Sequence, residues 1–227
     1  MILLSLILFS CTIKDKQQSS SIENVYAASF KMIDEGQLLL KDGDLVVRNN
    51  HDLTSQYIKH FNRHDKNYSH AGIVFYENGY PYIYHILPGR DNPGEKLTKD
   101  SLSYFSNPRK NFGYAIYRYK MDSSEIAHFR SLVMDWYNQG VVFDSALNLK
   151  TDREMYCSEM IKKGLALATN DRIVISTTKP TEQEILFFYA YLKFTLEYAK
   201  KVELVAIDNL FVNPHCQLVK RFDFPSL

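Results

Sequence analysis

The sequence predicts an α+β fold, and three observations carry that expectation. First, two β-prone runs, His70 to Glu77 and Tyr80 to Leu87, flank Asn78-Gly79. Asn-Gly is a strong two-residue hairpin signal, so the runs pair antiparallel. Second, Asp122-Ser123-Ser124-Glu125 is a capping box. It leads into an apolar stripe of Ile126, Phe129, Leu132, Val133, Trp136 and Tyr137 at helical spacing, which Gly140 stops. Third, Ser158 to Ala168 places Met160, Ile161, Leu165 and Ala168 on one helical face directly behind Cys157.

The chain has 227 residues, enough for one sizeable domain. Its formal net charge of +1 gives no broad electrostatic pull toward nucleic acid. The aromatic share is 14%, which suits a large aromatic core or an apolar groove.

Ile2 to Phe9 is an apolar run, too short to span a bilayer as a helix but long enough for a signal-peptide core. It ends in Ser10-Cys11, which resembles the bacterial lipoprotein cleavage signal. On that reading residues 1–10 are a signal peptide and Cys11 carries the lipid. Residues 11–21 are then a polar, Ser/Gln/Lys-rich tether, and residues 22–227 form a single domain.

Within that domain Ser20 to Glu23 opens a helix carrying Val25, Tyr26, Phe30, Met32 and Ile33. An Asp-Gly turn at Asp42-Gly43 precedes a strand through Arg48, and Leu53 to Phe61 is a short helix. The hairpin follows, with Glu77 facing Tyr80, Gly72 facing His85 and His70 facing Leu87. Pro81 points to an edge position or a late start for its strand. Pro88 to Glu95 is a loop, Leu97 to Phe105 a helical turn and Phe112 to Lys120 a strand. Phe143 to Arg153 is a polar loop leading to the cysteine. Thr181 to Lys200 reads as one long helix with aromatics nearly all round. Val202 to Ile207 and Cys216 to Phe222 read as strands separated by a turn at Asn213-Pro214.

The candidate chemistry centres on Cys157. A thiol at a helix N-terminus meets unpaired backbone N–H groups and the positive end of the helix dipole, and both favour the thiolate. A nucleophilic thiol needs a base, and the base needs an orienting partner. In the hairpin register His70 and His85 share a face as diagonal neighbours, their Cα atoms about 7–8 Å apart. His70 is the candidate base and His85 the residue that fixes its tautomer. His60 and His64 have an i, i+4 spacing that suits a metal on a helix, but they lack a third ligand and read as surface residues. His51, His128 and His215 also read as surface residues.

Taken in order, Lys41-Asp42-Gly43-Asp44-Leu45-Val46-Val47-Arg48, Tyr68-Ser69-His70-Ala71-Gly72-Ile73-Val74, Phe143-Asp144 and Tyr156-Cys157-Ser158-Glu159 resemble a known family. It is the circularly permuted branch of the NlpC-type papain-like cysteine hydrolases, the YiiX/YebB-like group related to lecithin:retinol acyltransferase. The resemblance covers about residues 40 to 165. It implies an antiparallel sheet or small barrel packed on a cysteine-bearing helix. It also implies Cys157 as nucleophile, His70 as base and His85 as third polar residue.

The expectation is therefore a cysteine hydrolase that cleaves a peptide-like or N-acyl amide through a thioacyl enzyme. Its expected partners are a peptide or acyl-bearing small-molecule substrate and a membrane reached through the lipid at Cys11, outside the cytoplasm. No metal, organic cofactor or nucleic acid is implied. Two alternatives stay open: a thiol acyltransferase or esterase acting on lipid acyl groups, and a non-catalytic binding lipoprotein on the same scaffold. Phe187, Tyr191 and Phe194 either line an acyl pocket or fill the core. A Cys157–Cys216 disulfide would remove the nucleophile.

Overall fold

Asn78 and Gly79 adopt φ values of 51° and 81°. Two successive positive φ angles are the signature of a type I′ turn, whose twist matches that of the strands it joins. The computed structural model describes residues 22–90 and 92–226. In it this turn connects β2 (His70–Glu77) to β3 (Tyr80–His85) in the expected register, from Glu77↔Tyr80 to Ile73↔Tyr84. The pairing stops there. His70 lies opposite Arg48 of β1 (Asp44–Asn50), not Leu87, because β3 ends at His85.

On its far side β3 is covered by β4 (Thr98–Asp100), which pairs with Ile83 to His85 only. Pro81 thus lies beyond the end of β4, which reconciles a proline with an internal strand. β1 pairs with β5 (Asn111–Tyr119), and β5 with β6 (Cys216–Asp223). The result is an antiparallel sheet in the order β4-β3-β2-β1-β5-β6. It is a sheet, not a barrel, with β4 and β6 at its edges. The bidentate pairing of Arg118 with fully buried Asp44, 2.7 Å at both oxygens, clamps β1 to β5.

Strand alternation divides the core in two. One face carries Leu45, Val47, Ala71, Ile73, Phe75, Tyr84 and Tyr117. It packs against α4 (Ser123–Gln139) and α5 (Cys157–Ala168), through Phe129, Val133, Met160, Ile161 and Leu165. The other face carries Val46, Val74, Ile83, Tyr114 and Ile116. It packs against Ile33 of α1 (residues 22–37) and against Leu102 and Phe105 of α3 (Leu102–Phe105). α2 (Leu53–His60) forms behind an Asp52 cap. α4 has the full expected capping box at Asp122 and the Gly140 stop at φ 67°. Ser20, the expected cap of α1, lies outside the described residues, as do Cys11, the apolar run and the tether.

Three expected elements differ. Leu97 to Phe105 holds β4 and α3, not one helical turn. Thr181 to Lys200 is two helices, α6 (Glu182–Tyr191) and α7 (Leu196–Ala199), parted at Lys193, whose φ is 61°. Val202 to Ile207 is not a strand. It makes a single bridge, Leu204 to Thr178, and runs into α8 (Ile207–Phe211). Its Val205 is held from both sides: the amide donates to Tyr156 Oη at 2.8 Å, and the carbonyl accepts from Ser158 Oγ at 2.6 Å. Among the described residues no helix is long and apolar enough to cross a membrane.

Candidate active site

Cys157 is the first residue of α5, as the sequence predicts. The turn that presents it is fixed by Glu159, whose Oε2 accepts from the Tyr156 amide at 3.3 Å. Glu159 is fully buried and lies 2.9 Å from Lys163 Nζ. Burial outweighs that lysine and pushes the Glu159 carboxyl up to about 7.

The thiol itself is buried. Desolvation raises its pKa above the ordinary value, against the opposing pull of the Ala71 amide, Ser158 and the Arg48 guanidinium. This corrects the expectation that a helix N-terminus alone would favour thiolate: in the resting protein, loss of water outweighs the dipole. The Ala71 amide that pulls the thiol pKa down belongs to the residue after His70. β2 and β3 cease pairing at Ile73 and Tyr84, and the sulfur meets β2 at this open end.

The two histidines are together. His70 Nε2 lies 2.9 Å from His85 Nδ1. Gly72 permits this closeness, because a Cβ there would sit 3.2 Å from the Cβ of His85 and 3.0 Å from the Tyr84 carbonyl oxygen. The chain of contacts continues beyond the sequence expectation, with His85 Nε2 2.9 Å from Asp100 Oδ2 on β4. Burial lowers the pKa of both imidazoles, with Arg48 adding to the effect, so both are neutral near pH 7. Asp100 pulls the other way on His85.

Phe105 and Arg48 complete the surround. The Phe105 ring lies 5.5 Å from the His70 ring and 5.0 Å from the His85 ring. The Arg48 guanidinium sits 4.6 Å above that same ring, and its Nη1 donates to the Phe105 carbonyl at 2.6 Å. Sequence reasoning missed Asp100, Arg48 and Phe105. The Arg48↔His70 strand pairing is not local in sequence, and the short β4 was hidden in what looked like a helical turn.

His70, His85 and Arg48 project on the sheet face of Val46, Val74 and Ile83, whereas α5 covers the opposite face. The imidazole pair and the thiol therefore reach the open end of β2 from its two sides. Among the described residues no hydrogen bond joins the thiol to His70. With Nε2 committed to His85, Nδ1 is the His70 nitrogen left for proton exchange.

The loop that leads into His70 is anchored by fully buried Asp208. Its Oδ2 accepts from the amides of Arg63 at 2.7 Å and His64 at 2.6 Å. His60 is the last residue of α2 and His64 lies beyond it, so they do not share a helix; both are exposed. His51 and His128 are exposed and His215 is half-buried. Cys157 and Cys216 are separate free thiols. Phe187, Phe188 and Phe194 pack with Phe61, Val202 and Leu204 into a small satellite core, with Tyr191 exposed at its rim.

Known protein families include no match to this chain, and curated proteins include none by sequence. Among solved structures it is similar to the metalloprotein yiiX from Escherichia coli O157:H7. The TM-score is 0.59 at 18% sequence identity, and the match covers 82% of this chain and 98% of that one. At that identity the likeness shows a yiiX-like fold and nothing finer. The description as a metalloprotein belongs to the E. coli protein. Among the described residues of this chain, no three His, Cys, Asp or Glu side chains form a metal-ligand set.

Proposed function

We propose that this chain is a cysteine hydrolase of the circularly permuted papain-like kind, acting on a peptide-like or N-acyl amide. The observation that carries the reading is at one end of β2: the His70–His85 pair at 2.9 Å, next to Ala71, whose amide acts on the Cys157 thiol at the start of α5. The order of histidine before cysteine in the chain, on a yiiX-like fold, supports it.

The mechanism begins with both groups neutral, since burial raises the thiol and lowers the imidazoles. The thiol proton passes to His70 Nδ1 as Sγ bonds to the substrate carbonyl carbon. Catalytic hydrogen bonds often tighten only once substrate is bound. The tetrahedral oxyanion is stabilised by backbone N–H groups at the start of α5. Its collapse breaks the C–N bond, and the leaving amine takes the proton from His70. Water then gives a proton to His70 and its oxygen to the thioester carbonyl. The S–C bond breaks, releasing a carboxylic acid, and the proton returns to sulfur. Transfer to another acceptor differs only in which nucleophile replaces this water.

The setting we propose is outside the cytoplasm, with the chain held at a membrane by lipid on Cys11. The test of function is a panel of peptide amides, N-acyl amino acids and acyl esters incubated with the full chain, with products read by mass spectrometry. Turnover of an amide that Cys157→Ala and His70→Ala both abolish is expected. Turnover retained in Cys157→Ala would refute the assignment.

A further inference from the structure

The histidine pair does not end at His85. We propose that Asp100 is a positioning residue that fixes the proton positions of both imidazoles, so that His70 presents a bare Nδ1. This deepens the hydrolase reading and rests on it for its purpose, although the proton arrangement itself is a property of the resting protein.

The argument follows from donors and acceptors. An ionised carboxylate accepts hydrogen bonds and cannot donate. With Asp100 as the acceptor of the 2.9 Å contact, His85 Nε2 carries its proton toward Asp100 Oδ2. A neutral imidazole has one N–H and one bare nitrogen, so His85 Nδ1 is bare and accepts. The only donor for the 2.9 Å contact between His85 Nδ1 and His70 Nε2 is then the His70 Nε2–H. That leaves His70 Nδ1 unprotonated, the form a base requires. Burial disfavours a charged ring at either position, in keeping with one proton on each imidazole.

The placement of the three residues fits this role. His85 is almost wholly buried, whereas the Asp100 side chain is 21% exposed, so the outer end of the chain reaches solvent. There Asp100 lines a small hollow with Arg48, Tyr104, Asn107 and Lys110. The β3–β4 pairing, His85↔Thr98 through Ile83↔Asp100, sets the distance from the backbone. The groups that face the pair are Arg48 from β1, Asp100 from β4 and Phe105 from α3.

The charge and the hydrogen-bonding sense of Asp100 can be separated. Asp100→Asn keeps the shape and offers an N–H. An amide that donates to His85 Nε2 drives the His85 proton to Nδ1 and the His70 proton to its own Nδ1, reversing both rings. Asp100→Ala supplies neither, so the two arrangements mix. The experiment is ¹⁵N NMR of the ring nitrogens in the full-length chain at neutral pH, without substrate, alongside thermal unfolding to confirm a cooperative fold. In wild type the His70 Nδ1 signal is expected to be pyridine-type and Nε2 pyrrole-type, with reversal in Asp100→Asn and averaged signals in Asp100→Ala. A pyrrole-type Nδ1 on wild-type His70, or wild-type ring signals in both variants, would overturn the proposal. Because no turnover is read, a failed substrate panel leaves this result standing, and a failed NMR result leaves Cys157 and His70 to be judged by turnover. If an amide substrate is found, both variants should lose kcat by about 10²-fold or more, the scale of general acid–base catalysis, with KM little changed.

Discussion

Gly72→Ala is the perturbation that links packing to the histidine pair most directly. The added Cβ would lie 2.4 Å from Ile83 Cγ2, 3.0 Å from the Tyr84 carbonyl oxygen and 3.2 Å from the His85 Cβ. Ordinary carbon contacts are about 3.5–4.0 Å, so Ile83, itself fully buried, must retreat by about 1 Å. The Tyr84 oxygen is backbone and cannot swing aside, so the β3 strand as a whole moves. Overpacking of this kind costs about 1–3 kcal/mol. The narrower unfolded ensemble of alanine returns about 0.4–1 kcal/mol, which leaves a net loss of about 1–2 kcal/mol. For a chain of this size that is roughly 2–8 °C in Tm. The same shift carries His85 away from His70 and lengthens their 2.9 Å hydrogen bond. Gly79→Ala is the control: its Cβ meets nothing within 4 Å, but the φ of 81° strains it. Urea unfolding with ring-nitrogen NMR separates the two. Both variants lose stability, and only Gly72→Ala changes the His70 and His85 signals. A Gly72→Ala protein within 0.5 kcal/mol of wild type, with unchanged imidazole signals, would refute the close-approach argument.

Two predictions concern pH. His70 and His85 have folded pKa values below the unfolded 6.5, so the unfolded chain binds more protons as pH falls. Their contribution is complete above about pH 7.5 and is lost as pH falls through 6.5, by up to about 1.4 kcal/mol per histidine between pH 7.5 and 5.5. Denaturant titrations at the two pH values should show a shallower loss in a His70→Ala/His85→Ala double variant; equal losses would contradict the buried neutral pair. Glu159 has the opposite sign. Its pKa is raised from 4.5 to about 7, so its contribution is present at low pH and is lost as pH rises toward and through 7. The stability of Glu159→Gln relative to wild type should rise between pH 5 and 8, by at most about 3 kcal/mol, and a flat difference would contradict this.

Where the signal was local, the sequence was legible. The Asn-Gly turn fixes the β2–β3 register because both residues tolerate positive φ, and the cysteine helix starts within a residue of its expected position. The Asp122 box and the Gly140 stop are likewise contained in a few neighbouring residues. The failures are nonlocal. β4 has three residues and exists because β3 pairs with it, while Leu97, Leu102 and Phe105 imitate helical spacing. Asp100, on that strand, was lost with it. Arg48 reads as one more strand residue until Arg48↔His70 pairing sets it beside the imidazoles. No Gly or Pro marks the break between α6 and α7, although Thr195 at the new cap was a sign of it. Val202 to Ala206 has a strand-like composition, and contacts to Tyr156 and Ser158 take the place of a sheet neighbour. The thiol pKa was misjudged because burial is a tertiary quantity that helix position does not reveal.

The measurement that tests the central claim most directly is the trapping of the acyl enzyme. The full chain is mixed with p-nitrophenyl acetate, quenched in acid at short times, digested and mapped by mass spectrometry. The account predicts a hydroxylamine-labile acetyl group on the Cys157 peptide and none on the Cys216 peptide. It also predicts much slower formation in His70→Ala and no acyl group at that site in Cys157→Ala. Acetylation of Cys216 in preference to Cys157, or an unchanged rate in His70→Ala, would contradict it.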